Sequence, residues 1–300
     1  MPIPYNKPPL TPEQQADLLL SRGLRGISKP DLVKKLESVS YYRLRGYTYP
    51  YQDASTSMFL ANVNWDHIWS DYLMDFRLRS VLFESIGHIE IAFRTQLELA
   101  MSSGYGSRWY EKDSFFFNKP RHTRDLSELS GDWARSDEDF KRHYEEKYDP
   151  DLMPPAWMIF ETSTFGLVSK FYNNIDSSLP EKAVVARFFG FSKAAVPVLV
   201  SWMRHLTNLR NICAHHSRLY SKINIVKPKF PRKIEGVWVT SWPDSGKIYA
   251  SVCIVKKLLN ACSIEYDFVS ELKKIMHSVR VEQLAAMGFP NDWNKEKLFG

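Results

Sequence analysis

The sequence lacks most of the features that give an enzyme away. It has 3 cysteines in 300 residues, Cys213, Cys253 and Cys262. Their spacing offers neither a metal-ligand pair nor a disulfide framework. They read as small buried hydrophobes in a reducing compartment. No run approaches the roughly 20 apolar residues that cross a bilayer. The opening MPIPYNKPPLTP has no apolar core of the signal-peptide kind. A cytoplasmic protein with no membrane partner is the expectation. There is no glycine-rich phosphate loop and no HExxH. No carboxylate pair has two-metal spacing, and no calcium loop is present. No serine or cysteine has a base at evident spacing. The sequence therefore calls for no metal and no cofactor.

What the chain does carry is aromatic and basic. It holds 9 Trp, 15 Tyr and 18 Phe, with a net charge of +6 and a pI near 9.0. Aromatics fill cores, but they also stack on bases. The charge leans towards a polyanionic partner. The length suits one large domain or two smaller ones.

Periodicity predicts an all-α protein in three regions. Residues 1–105 form an N-terminal helical region behind an extended, proline-rich arm over 1–12. A helix over 12–22 starts at Thr11 and stops at Gly23, and a second opens at Ser28. Residues 40–51, SYYRLRGYTYPY, read as a helix end and a packed turn, because Gly46 and Pro50 break the pattern. That segment is either an aromatic wedge or a place where Arg43 or Arg45 meets a phosphate. A long helix over 65–101 follows, ended by Gly104 and Gly106. In it Glu90 and Arg94 are four apart and can pair. The pair is a structural salt bridge, or it holds a catalytic side chain in place. Residues 106–155 form a charged insertion or flap, with ten acidic against four basic residues from Asp125 to Asp151. Short helices with a solvated face are expected there.

Residues 156–300 hold the candidate site. Glu161, a lone acid among apolar residues, caps a helix or orients a catalytic group. A helix spans about 180–189, and Ser192 is the expected cap of the next. On that helix, at 100° per residue with Arg210 at zero, Leu199, Trp202, Leu206, Leu209 and Cys213 fall at roughly −100° to −20°. Arg204, Asn208, Asn211 and His215 fall at roughly 100° to 160°. One stripe faces the core and the other is polar. Arg210 sits about 140° from His215. It must wrap round the helix or act with a His215 from another chain. His216 follows, pointing away from His215.

An imidazole, an amide and a guanidinium can do acid–base work on a phosphodiester. With RNA the 2′-OH is the nucleophile and no metal is needed. Beyond the helix, residues 218–257 contain nine Lys or Arg and two acids. Lys222, Lys227, Lys229, Arg232 and Lys233 are a solvated loop or a cradle for RNA. VWVTSW at 237–242 reads as a brief strand. Helices at about 247–260 and 265–280 follow, and the tail anchors through Pro290 and Trp293.

Arg210, Asn211, Ile212, Cys213, Ala214, His215 and His216 resemble the signature of Abi-like abortive infection proteins of the HEPN superfamily. KPPLTPEQQADLLLSRGL, SYYRLRGYTYPY, PAWMIFETSTFGLVSKFY and MGFPNDW also resemble segments of these proteins, in the same order. The resemblance implies a HEPN-type helical bundle with additional N-terminal and C-terminal helices. It implies a metal-independent endoribonuclease that leaves a 2′,3′-cyclic phosphate, acting in phage defence or as a toxin. The catalytic set would be Arg210, Asn211 and His215, supported by His216, Glu90, Arg94, Glu161 and Asn208. A homodimer would complete the site, and an antitoxin or regulatory partner would hold a toxin in check. Some HEPN members instead bind RNA or protein without cutting.

Overall fold

Thr11 starts the first helix with a capping box. Its hydroxyl accepts from the Gln14 N–H at 3.3 Å, and the Gln14 side chain accepts from the Thr11 N–H at 2.9 Å. Caps of this kind contribute about 1 kcal/mol. The computed structural model describes residues 4, 6, 8–149 and 152–300. Part of the expected arm, residues 1–3, 5 and 7, lies outside the described residues, and 8–11 have no regular structure. Among the described residues there are thirteen α-helices and no strands, only the isolated bridges Gln52–Phe59 and Phe116–Ile175. The protein is all-α.

The chain divides into two units, Met1–Leu78 and Arg79–Gly300. In the first, α1 (Pro12–Ser21) stops just before Gly23, whose φ is 91°. Ser28 caps α2 (Lys29–Val39). The two helices pack through Ala16, Leu19, Leu32 and Leu36. Residues 40–51 correct the expectation of a helix end. Ser40 caps a new helix, α3 (Tyr41–Thr48), which continues through Gly46 into a 3-10 turn at Tyr49–Tyr51. The cause is tertiary. Tyr47 donates to Asp75 at 2.5 Å and Tyr51 to Asp71 at 2.6 Å, and both carboxylates are fully buried. Buried carboxylates demand such donors, which outweigh the weak helix propensity of Gly46.

Asp71 and Asp75 belong to α4 (Trp65–Tyr105), 41 residues long. Gly104 lies inside it, and Gly106, with φ 86°, ends it. The unit boundary falls within this helix.

In the second unit, Phe93 of α4 meets Phe165, Tyr172 and Phe189, and Trp109 stacks on Phe160 at 5.5 Å. The segment expected to hold only short, solvated helices contains α5 (Lys119–Arg135), 17 residues long, as well as α6 (Asp139–Lys147). α5 buries His122, Leu129 and Trp133. Those three repeat at helical spacing, thinly spread among charges, which is why the apolar side was hard to see. Pro150 and Asp151 lie outside the described residues. Next come α7 (Ala156–Ile159), α8 (Phe165–Asn174) and α9 (Pro180–Phe188). Then follow α10 (Val196–Ala214), α11 (Ile248–Leu259), α12 (Phe268–Met276) and α13 (Val281–Met287). α8 packs against α5 on one side and α10 on the other.

Two local expectations fail. Ser192 makes no capping bond, because a 3-10 turn at Lys193–Ala195 intervenes before α10. VWVTSW is not a strand. Trp238 and Trp242 join Trp202 and Phe230 in an aromatic cluster, with ring centroids 5.8 Å apart for Trp202–Trp238 and 5.3 Å for Phe230–Trp242. The alternation that suggested a strand comes from packing against α10. The tail is anchored as expected, with Phe289, Trp293 and Phe299 gathered around Tyr249 of α11. Among the described residues no single helix is long and apolar enough to cross a membrane.

Candidate active site

α10 is set in the core by Leu199, Trp202, Leu206, Leu209 and Cys213, all buried. The buried sector is wider than this stripe and includes His205, 2 % exposed. His205 bonds through Nδ1 to the Val226 carbonyl at 2.6 Å and through Nε2 to Ser251 Oγ at 2.9 Å. A carbonyl can only accept, so Nδ1 carries the proton and Nε2 accepts from the serine. Burial pushes the His205 pKa down, against the pull of the Val226 bond, so the ring is neutral. It ties the loop after α10 to α10 and α11.

The end of α10 is sharply defined. His215 is the C-cap, with its N–H on the Asn211 carbonyl at 3.0 Å. The N–H of His216 bonds Cys213 O at 3.0 Å, and that of Ser217 bonds Ile212 O at 2.9 Å. This is a Schellman termination, in which glycine usually takes the left-handed position. Here that position is His216, with φ 54°. A β-carbon there costs about 1–2 kcal/mol. The turn keeps Asn211 and His215 on one exposed side of the helix end. The His215 imidazole has no hydrogen-bond partner among the described residues.

Arg210 goes elsewhere. Its guanidinium lies 5.4 Å from the centroid of the Phe83 ring on α4. Burial raises the Glu90 pKa, and Arg210 is close enough to that carboxyl to oppose the rise in part. Within one chain the Arg210 guanidinium lies against Phe83 of α4, while His215 is exposed at the helix end.

Behind Arg210 the structure gathers three of the supporting candidates. Arg94 donates to Glu90 at 3.1 Å, to Glu161 at 3.2 Å and to the Ser163 carbonyl at 3.0 Å. Glu161 pairs from a 3-10 turn at Phe160–Thr162 and caps no helix. Burial raises the Glu90 pKa, with Arg94 and Arg210 opposing it. A fourth member, Glu98, was not foreseen. It lies one turn beyond Arg94, and its Oε1 is buried with no partner among the described residues. Burial, reinforced by the Glu161 carboxylate, pushes Glu98 up to about 8.

The folded Glu98 carboxyl therefore keeps its proton well above its ordinary 4.5. Its favourable contribution is full below that ordinary value and is lost as pH rises through the folded one. Glu98→Gln mimics the protonated form. It is expected to leave the melting temperature near that of the parent at about pH 5 and to raise it at about pH 9. Thermal unfolding by circular dichroism at both pH values checks this, and an equal effect at both contradicts it.

Lys222, Lys227, Lys229, Arg232 and Lys233 are all exposed, on a segment with no helix between α10 and α11. None is ion-paired among the described residues. Asn208 is half-buried on α10. Arg43 and Arg45 are exposed on α3 in the first unit. Among the described residues, no three His, Cys, Asp or Glu side chains are grouped to hold a metal ion. His205 and Glu98 escaped the sequence reading because both lie at the margins of apolar stripes. Only the two polar contacts of His205 distinguish it from a packed ring.

The sequence model of a family described as "Abi-like protein" matches residues 34–221. The match covers Glu90, Arg94, Glu161, Arg210, Asn211, His215 and His216, and stops just before Lys222. No curated protein and no solved structure matches the chain.

Proposed function

The chain belongs to the Abi-like protein family, and from that premise we propose that it is a metal-independent endoribonuclease of the HEPN type. Membership suggests a part in abortive infection. Nuclease action as a toxin or phage-defence factor is our reading of how it takes that part. The observation that carries the reading is the exposed end of α10. It offers an imidazole with no partner among the described residues, an amide one turn behind it, and a guanidinium aimed at α4.

In the proposed reaction the 2′-oxygen attacks phosphorus and the P–O5′ bond breaks. An imidazole takes the 2′-OH proton, and an imidazolium returns one to the leaving 5′-oxygen. The products are a 2′,3′-cyclic phosphate and a 5′-OH. Arg210 stabilises charge on the phosphoryl oxygens. Asn211 donates a hydrogen bond to the same group. Glu90 and Arg94 hold Arg210 from behind.

A homodimer supplies what one chain lacks. Each Arg210 serves the His215 of the other copy, so a dimer holds two composite sites of one guanidinium and one imidazole, and that imidazole takes the 2′-OH proton and, as imidazolium, returns one to the leaving oxygen. Phe83, Ile91 and Leu99 of α4 are exposed. Apolar surface of this kind marks interfaces, and Phe83 is the ring that Arg210 covers. The test is purified protein on labelled RNA with EDTA present. Cleavage is expected to persist with chelator, and the matching DNA strand is expected to stay whole. Intact RNA under all conditions, with binding retained, favours the alternative of a non-catalytic RNA- or protein-binding module.

A further inference from the structure

α10 bears the candidate site at one end and a groove along its side. Two cavities, of about 460 and 610 Å³, share Asn173 and Val200 in their walls and so form successive parts of one depression. The first lies between α8 and α10. Gly166 forms part of its wall, where a β-carbon would come within 3.3 Å of Thr207 Cγ2.

No Asp or Glu lines either cavity, and six cations do: Arg121, Lys170 and Arg204 in the first, Lys182, Lys193 and Lys229 in the second. Three of them are committed. Arg121 pairs with Asp125 at 3.4 Å and Lys170 with Glu128 at 2.7 Å. Lys182 Nζ donates to the carbonyls of Asn173 at 3.0 Å and Ile175 at 2.6 Å. Arg204, Lys193 and Lys229 are exposed and have no ion pair among the described residues. Lys229 is nonetheless fixed in place. Its N–H donates to Ser201 Oγ at 2.9 Å, and its carbonyl accepts from Trp202 Nε1 at 2.8 Å. Two bonds from α10 thus clamp one residue of the basic loop into the groove wall. Phe117, 59 % exposed, adds an uncovered ring.

The groove shares a helix face with the site. With Arg210 at zero, Val196, Val200, Thr207 and Arg204 fall at roughly 40° to 120°, and Asn211 and His215 at roughly 100° and 140°. α10 has 19 residues and so extends about 28 Å.

We propose that this groove is the path of single-stranded RNA to His215, with phosphates on Arg204, Lys193 and Lys229 and a base stacked on Phe117. It rests on the RNA reading above and adds a location and a strand form to it. Three unpaired cations without a facing acid suit a polyanion. The exposed ring suits an unpaired base, whose face a duplex would hide.

The test uses the full chain carrying His215→Ala, so that RNA stays uncut, and a single-stranded oligoribonucleotide of about a dozen nucleotides. Adding Arg204→Glu with Lys193→Glu is expected to weaken binding at least about tenfold and to lower the salt slope by about 0.7 per lost phosphate contact. Phe117→Ala is expected to weaken it about fivefold or more, with the salt slope kept. All three side chains are exposed, so melting temperatures should match the parent's. Parental affinity and salt slope in both variants would overturn the groove alone, leaving the ribonuclease reading intact. A mononucleotide that binds as tightly as the oligomer and depends on Phe117 would overturn the strand path. A parent that neither binds nor cuts RNA would overturn both readings.

Discussion

His215→Ala is expected to lower RNA cleavage by about 10²- to 10⁴-fold, the usual worth of a positioned general acid or base. The same change should leave the fold as it is. His215 is exposed and its imidazole has no partner among the described residues. Its backbone N–H donates to the Asn211 carbonyl, a bond that alanine keeps. Single-turnover rates and melting temperature together separate the two roles. A lost rate at unchanged melting temperature supports catalysis. A lost rate with a much lower melting temperature points to a structural role. Toxicity on expression, where present, should disappear with the same substitution.

Arg210→Ala is expected to cost about 10²- to 10³-fold, as for loss of one preorganised donor to developing charge. Arg210→Lys keeps the charge but loses the planar fork and its stacking on Phe83, so it should recover only part of the rate. The more discriminating result comes from mixing. Within one chain Arg210 faces α4 while His215 faces solvent. If each site takes its arginine from one copy and its histidine from the other, Arg210→Ala and His215→Ala proteins restore one complete site per mixed dimer. Half of the dimers are mixed at equilibrium, so about a quarter of wild-type activity should return. No return on mixing, with exchange of subunits verified, would place both residues in one chain's site.

The parts of the fold legible in the sequence are those set by local chemistry. The Thr11 cap, Gly23, Gly106 and the buried stripe from Leu199 to Cys213 follow from side-chain type and spacing. The angular offset of Arg210 from the stripe of Asn211 and His215 follows from helical geometry alone, which needs no tertiary knowledge. The Glu90–Arg94 pair was visible as an i, i+4 spacing, but its third member, Glu161, lies 67 residues away from Arg94. What was hidden depends on distant partners. α3 persists through Gly46 because Tyr47 and Tyr51 find Asp75 and Asp71. Trp238 and Trp242 look like a strand in isolation and are claimed by Trp202 and Phe230. Lys229 looked like one of five loop lysines and arginines. Only Ser201 and Trp202, clamping its backbone, set it apart.

The 2′-OH is the nucleophile in the proposed chemistry, and one oligoribonucleotide tests that directly. The substrate carries a single 2′-deoxy nucleotide at a mapped cut and is incubated with wild-type protein and EDTA. The account predicts that cutting stops at that linkage alone. Cuts elsewhere should still leave 2′,3′-cyclic phosphate and 5′-OH ends. Cleavage at the 2′-deoxy linkage, or cleavage that vanishes with chelator, would contradict it.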